Sequence, residues 1–238
     1  MYTEFDRVMM RRALALAAKG KGYANPNPLV GSVVVREGEV IGEGYHERYG
    51  EPHAEANAIA NAEANGRSVE GADLYVTLEP CAHFGKRPPC ADLLVNKKVR
   101  SCTVALRDPY PEVDGKGIER LKAAGIEVRL GLLEDSAREQ NRFFIKRITT
   151  GLPYVTIKIA QSIDGRSALA TGESKWITAE GSRKRVHELR AEYDAVLVGS
   201  GTVLADDPEL TVRLAEGRHP TRIVLDRENK LPATHKAF

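Results

Sequence analysis

Apolar side chains recur with two alternating periods from the start of the chain to about Thr150, and the alternation predicts a sheet covered by helices. Phe5, Val8, Met9, Ala13, Leu16 and Ala17 fall at helical spacing, interrupted only by Arg12, and Gly20-Lys21-Gly22 ends that helix. A β-branched run over 29–35 and a second over 40–45 flank Glu37-Gly38-Glu39, the pattern of a hairpin. An alanine-rich helix is predicted over 54–64, and a buried strand over 73–78 runs into Glu79-Pro80-Cys81. A short helix over 89–95, a strand over 99–106, a helix over 117–124 and a strand over 126–130 follow. The segment 133–148 reads as one long amphipathic helix. Strands alternating with helices imply an α/β sheet covered on both faces.

Thr149-Thr150-Gly151-Leu152-Pro153 breaks this pattern. Beyond it a strand is predicted over 154–159, a helix over 183–192, and strands over 195–198 and 223–225. The domain boundary is therefore placed near Thr150, giving segments 1–149 and 150–238.

Composition narrows the class. Of 238 residues, 42% are hydrophobic, enough for a packed core, and 29% are charged with a net charge of only +2. That balance argues against a broad basic face, so no nucleic-acid partner is expected. No apolar run reaches the roughly 20 residues a membrane helix needs, and no membrane partner is expected. The opening Met1-Tyr2-Thr3-Glu4-Phe5-Asp6 lacks the regions of a signal peptide. Three cysteines without a paired framework fit a reducing compartment, so a cytoplasmic protein is expected.

The candidate chemistry lies in His53-Ala54-Glu55, Pro80-Cys81 and Cys90. One imidazole and two thiolates can hold zinc and leave a fourth position open for water. The H-x-E…P-C…C order is that of zinc-dependent nucleobase deaminases, in which the glutamate moves protons and is not a ligand. His53, Cys81 and Cys90 are the expected zinc ligands and Glu55 the general acid/base. Both ligand segments are expected at helix starts, His53 after Pro52 and Cys81 after Pro80, where the dipole and the metal favour a thiolate. A zinc ion there lowers the pKa of its water toward about 7. A purely structural zinc site, or no metal, stays open at this point. Cys102, in an apolar strand, is expected to be a buried, inert thiol.

The cysteine spacing adds a second clue. Deaminases of the H-x-E…P-C-x-x-C pattern have two residues between the cysteines, whereas here Ala82-His83-Phe84-Gly85-Lys86-Arg87-Pro88-Pro89 intervene. The insert brings an imidazole and two cations beside the metal ligands. It reads either as a solvated loop or as a clamp for an anionic substrate such as a nucleotide phosphate.

Longer motifs carry a family resemblance. Asn27-Pro28-Leu29-Val30-Gly31, His53-Ala54-Glu55 and the stretch from Thr77-Leu78-Glu79-Pro80-Cys81 to Cys90 closely resemble the bifunctional riboflavin-biosynthesis deaminase–reductase family. So do Gly115-Lys116-Gly117-Ile118, Tyr154-Val155-Thr156-Ile157-Lys158, Ser162-Ile163-Asp164-Gly165, Ser174-Lys175-Trp176-Ile177-Thr178 and Asp206-Asp207-Pro208. The resemblance implies a cytidine-deaminase-like three-layer α/β/α domain followed by part of a dihydrofolate-reductase-like α/β domain. It implies zinc-dependent deamination of 2,5-diamino-6-ribosylamino-4(3H)-pyrimidinone 5′-phosphate, a small-molecule nucleotide, and NADPH-dependent reduction of its ribosyl group. By resemblance, Asn27, His46, His83 and Lys86 contact the deaminase substrate. Ser174, Arg190, Leu210 and Arg213 contact the reductase substrate, and Ala160, Trp176, Thr202 and Asp206 bind NADPH. A homo-oligomer is expected, as this family tends to form one.

The residues alone say less. Asn27 sits between two prolines, which fix a loop, and its amide can pair with a pyrimidine edge or simply support a turn. His46 follows a strand end, where a surface histidine is the plain reading. Gly199-Ser200-Gly201-Thr202 is either a phosphate-approaching turn or a plain tight turn. Trp176 reads as core packing and Arg190 as part of a solvated face. Tyr110 stands where the family usually has asparagine, and a local change without loss of activity is expected. The family's reductase segment is roughly twice as long as 150–238, and about half a domain cannot bury a full core. Residues 150–238 are therefore expected to be the N-terminal part of a reductase domain, without reductase activity alone. Deamination of another nucleobase or of tRNA, and a non-catalytic zinc module, are the alternatives.

Overall fold

Thr3 opens the first helix, α1 (Glu4–Ala18). Its hydroxyl accepts from the Asp6 N–H at 3.1 Å, while the Asp6 carboxylate accepts from the Thr3 N–H at 2.8 Å, a reciprocal cap that satisfies two donors left over at a helix start. The structure, a computed structural model, describes residues 1–84 and 88–238. It divides into two units, Met1–Tyr154 and Val155–Phe238.

The first unit is built on five strands, β1 (Gly31–Arg36), β2 (Glu39–Tyr45), β3 (Asp73–Leu78), β4 (Ser101–Leu106) and β5 (Glu127–Leu130). Their order is β2-β1-β3-β4-β5. β1 runs antiparallel to β2 and β3, and β3, β4 and β5 are mutually parallel. Successive side chains of a strand point to opposite faces. Accordingly Val34, Leu74, Val76, Cys102 and Val104 pack on one face with α2 (Ala54–Ala64), α3 (Cys90–Asn96) and α4 (Lys116–Ala123). Val33, Val35, Tyr75 and Ala105 pack on the other with α1 and α5 (Glu134–Gln140). Leu74, Leu94 and Leu121 are fully buried, each contributing on the order of 1.5–3 kcal/mol. The three-layer α/β/α architecture implied by the resemblance is thus present.

Small residues bring α2 down onto the hairpin. A Cβ added at Gly44 of β2 would lie 2.3 Å from the Ala58 nitrogen and 2.6 Å from the Ala54 carbonyl oxygen, so glycine alone permits this approach. The contact fixes the first turn of α2, which carries the His-Ala-Glu motif.

Two predicted elements differ. The single helix over 133–148 is two helices, α5 and α6 (Arg142–Thr150), separated at Asn141. The Asn141 side chain is buried and bonded to the Leu29 backbone, and this tertiary pairing fixes a break that apolar periodicity does not reveal. The strand over 154–159 does not form. Val155, Ile157 and Ile159 are exposed, and a strand without a ladder partner is only extended chain.

The second unit holds α7 (Glu180–Glu192), β6 (Ala195–Gly199), α8 (Ser200–Asp206) and β7 (Thr221–Leu225). β6 and β7 pair in parallel. Gly199 to Thr202 is not a tight turn: Gly199 caps α8, which begins at Ser200. Val196, Val198 and Val224 pack on a small cluster of Val203, Leu210 and Ala237, while Leu197, Ile223 and Leu225 remain exposed. Among the described residues no helix is long and apolar enough to cross a membrane.

Candidate active site

Three segments converge at the end of β3. His53 is the N-cap of α2, Glu55 lies in its first turn, Cys81 follows β3, and Cys90 is the first residue of α3. The expected helix start at Cys81 is not found. Glu79-Pro80-Cys81 stays non-helical, and the next helix, α3, begins only at Cys90. The dipole still reaches that sulfur, since the Cys90 N–H at the start of α3 donates to Cys81 Sγ at 3.2 Å.

The donor atoms of His53, Cys81 and Cys90 lie within 4.8 Å of one another. His53 Nδ1 is 3.5 Å from Cys81 Sγ and 3.4 Å from Cys90 Sγ. A tetrahedral zinc bonded to nitrogen at about 2.1 Å and sulfur at about 2.3 Å sets that edge near 3.6 Å. The donor set and its spacing therefore fit zinc, with three protein ligands and a fourth position for a reactant.

The electrostatics suit proton transfer. Burial pushes the Glu55 carboxyl up to about 7; the neighbouring His53 ring partly offsets this and Cys81 adds to it. A hydrogen bond from Cys90 holds the Cys81 thiol below its usual range, and hydrogen bonds and charge from His53 act in the same direction. The same contact, together with burial, pushes Cys90 up. Cys102 is fully buried and its thiol is pushed up by that burial, an inert group as expected.

Beside this cluster lies a cleft of about 380 Å³, within the range of small-molecule sites. Asn27, His46 and His83 line it together with His53, Glu55 and Cys81. Lys86 lies outside the described residues. Asp108, Tyr110 and Phe144 also line the cleft, although sequence reasoning gave them no site role. Burial pushes the Asp108 carboxyl up to about 6, and its Oδ1 accepts from the Tyr110 N–H at 2.9 Å. The signal that could have found Asp108 is its position just past a parallel strand, where open α/β sheets bind ligands. The Tyr110 ring meets His83 edge-on at 5.8 Å.

In the second unit the expected residues are less gathered. Arg190 Nη1 donates to the Thr211 carbonyl at 3.1 Å, the Arg213 N–H donates to His187 Nδ1 at 2.9 Å, and burial followed by the charge of Arg213 lowers the Arg190 pKa. Leu210 is buried in the small core, so only its backbone is available to a ligand. Trp176 is not core packing: it is exposed, under the Arg183 guanidinium at 4.5 Å. Ser174 and Ala160 are partly exposed, and Thr202 and Asp206 are exposed on α8. A pocket of this unit, lined by Val224, Asp226, Asn229, Leu231, Ala233 and Phe238, contains none of the eight expected positions.

Comparison with known proteins agrees with the geometry. Residues 3–106 match the cytidine and deoxycytidylate deaminase zinc-binding region, and residues 153–238 match the RibD C-terminal domain. The riboflavin biosynthesis protein RibD of Aquifex aeolicus is 51% identical over 239 residues, covering 100% of this chain and 66% of that protein. The crystal structure of a diaminohydroxyphosphoribosylaminopyrimidine deaminase/5-amino-6-(5-phosphoribosylamino)uracil reductase from Thermotoga maritima superimposes with a TM-score of 0.93 at 47% identity, over 97% of this chain and 65% of that one. Acinetobacter baumannii RibD (form 1) gives a TM-score of 0.90 at 46% identity, over 98% of this chain and 67% of that one. The chain thus spans about two thirds of the relatives it matches. From one end to the other, in both its zinc-binding region and its second unit, this chain belongs to the RibD family of riboflavin biosynthesis proteins.

Proposed function

We propose that the chain hydrolytically deaminates 2,5-diamino-6-ribosylamino-4(3H)-pyrimidinone 5′-phosphate with zinc held by His53, Cys81 and Cys90. The observation that carries this reading is the zinc-spaced His–Cys–Cys triad, of which His53 and Cys81 line one cleft with the buried Glu55. When bound, zinc supplies the Lewis acidity that makes water a nucleophile near neutral pH. Glu55, held near 7 by burial, takes the proton from that water and delivers it to the nitrogen of the leaving amine. Water and the amine-bearing pyrimidine are consumed; the carbonyl product and ammonia leave. Asn27, His46 and His83 orient the pyrimidine nucleotide in the cleft, and Lys86, outside the described residues, is the phosphate contact expected by family.

By family, the second unit belongs to an NADPH-dependent reductase, with Ser174, Arg190, Leu210 and Arg213 toward substrate and Ala160, Trp176, Thr202 and Asp206 toward NADPH. We propose that these 238 residues alone do not reduce the deaminated product. A two-stranded sheet is marginal by itself, and here it leaves Leu197, Ile223 and Leu225 uncovered. A cytoplasmic homo-oligomer acting on a small molecule, not on nucleic acid, completes the reading. Ammonia release from the diaminopyrimidine nucleotide, abolished by chelation and restored by zinc, tests it. Release that is indifferent to chelation, or preference for cytidine or tRNA, contradicts it.

A further inference from the structure

Glu79 stands between β3 and Cys81, is buried, and is not among the zinc donors. Its carboxylate is fully occupied by backbone donors. Oε2 accepts from the N–H groups of Asp108 at 3.2 Å and Gly115 at 3.0 Å. Oε1 accepts from Gly117 at 3.0 Å and Ile118 at 3.1 Å. A carboxylate offers about four acceptor positions, so none remains for a substrate. Gly117 and Ile118 lie in the first turn of α4, where N–H groups have no helical partner and the dipole favours negative charge. The fit is close: a Cβ added at Gly117 would lie 1.9 Å from the Pro80 carbonyl oxygen. Glu79 also donates its own N–H to the Leu106 carbonyl at 2.9 Å, which anchors it to the end of β4.

One side chain therefore ties the Cys81 segment to the start of α4 and to the loop from Asp108 to Gly115. That loop supplies Asp108, Tyr110 and Val113 to the cleft wall. Glu79 itself borders the cleft, but its carboxylate is taken up by the four backbone donors. We propose that Glu79 is a positioning residue for substrate: it holds this loop as the wall of the cleft and acts through Asp108. The proposal rests on the deaminase reading for its kinetic consequence, but not for its geometry.

Glu79→Gln keeps the shape but replaces one acceptor oxygen with a donor amide, so two of the four N–H groups lose their partner. With positioning, KM rises on the order of tenfold or more, the cost of leaving buried N–H groups of the cleft wall unpaired, while kcat changes little and zinc content is retained. Asp108→Asn raises KM as well, and the double variant is no worse than the poorer single one, because the wall is displaced already. A lower Tm with unchanged KM, or KM effects that multiply in the double variant, overturns the proposal. Hydrogen exchange on the unmodified chain decides the matter even if Glu79→Gln fails to fold. The amides of Gly115, Gly117 and Ile118 are expected to exchange as slowly as those of the β3–β4 ladder, and exchange as fast as that of an exposed turn contradicts the assignment. Exchange needs no substrate, so an inactive wild type with protected amides would sink the deaminase reading and leave the geometric assignment standing.

Discussion

Asn27 and His46 meet through their side chains, with Nδ2 of the amide 3.0 Å from Nε2 of the ring. His46 Nδ1 lies 3.1 Å from the Pro52 carbonyl, which can only accept, so Nδ1 carries the proton. Burial lowers the His46 pKa and favours the neutral ring, and Nε2 then accepts from Asn27. The relay from Pro52 through His46 fixes which end of the Asn27 amide is engaged. Asn27→Ala is expected to raise KM about tenfold, one net hydrogen bond's worth, with zinc content unchanged. Steady-state kinetics with metal analysis checks this; zinc loss with an unaltered KM would place Asn27 in the metal support instead.

Glu55→Gln separates catalysis from structure. The side chain is buried and is not a zinc donor, so the variant is expected to fold and bind zinc. Turnover should fall by about 10²–10⁴-fold, the usual contribution of a positioned proton carrier. Metal analysis beside a single-turnover assay reads both quantities. Retained turnover would remove Glu55 from the role of proton carrier.

Asp6 and Arg129 make a pH-dependent contribution to stability. Burial alone would raise the Asp6 pKa, but hydrogen bonds from Arg129, Thr3 and Tyr75 outweigh it and hold the carboxyl well below the usual range. The folded pKa is therefore depressed. The contribution is fully present above the unfolded value of about 4 and is lost as pH falls from there through the folded value. Asp6→Asn should destabilise by about 3 kcal/mol at pH 7, since it removes the partly buried charge pair with Arg129, and by about 1 kcal/mol less at pH 3, where the folded carboxyl is still ionised and only the unfolded one has taken up its proton. Urea unfolding at the two pH values tests the sign; an equal loss at both would show that the ion pair is not the cause.

Asn141→Ala removes both partners of the Leu29 backbone, to whose N–H and C=O the amide bonds at 2.8 and 3.0 Å. Two buried groups without partners cost about 2–4 kcal/mol together. The loss should appear as a lower urea midpoint. A change under 1 kcal/mol would mean that water replaces the amide.

These residues also mark how far the sequence could be read. The β-branched run of β1, the alanine-rich α2 and the His53, Glu55, Cys81 and Cys90 set were legible because each depends on local composition or on ligand chemistry. Asn141 was not, since an asparagine inside an amphipathic pattern gives no sign of a partner 112 residues away. Glu79 stood in a recognised motif without a role and Asp108 was not singled out, because their meaning lies in backbone N–H groups brought together only by the fold. The extended run at Val155, Ile157 and Ile159 has strand composition, but a strand also needs a neighbour, and composition does not supply one.

The central claim is a working deaminase whose partner unit does not reduce. The chain is incubated with the diaminopyrimidine ribosyl phosphate, with and without NADPH, and the products are read by mass spectrometry. The account predicts conversion of one amine to a carbonyl and no further gain of hydrogen in either sample. Gain of two hydrogens with NADPH would contradict the claim for the second unit, and an unchanged substrate would contradict the claim for the first.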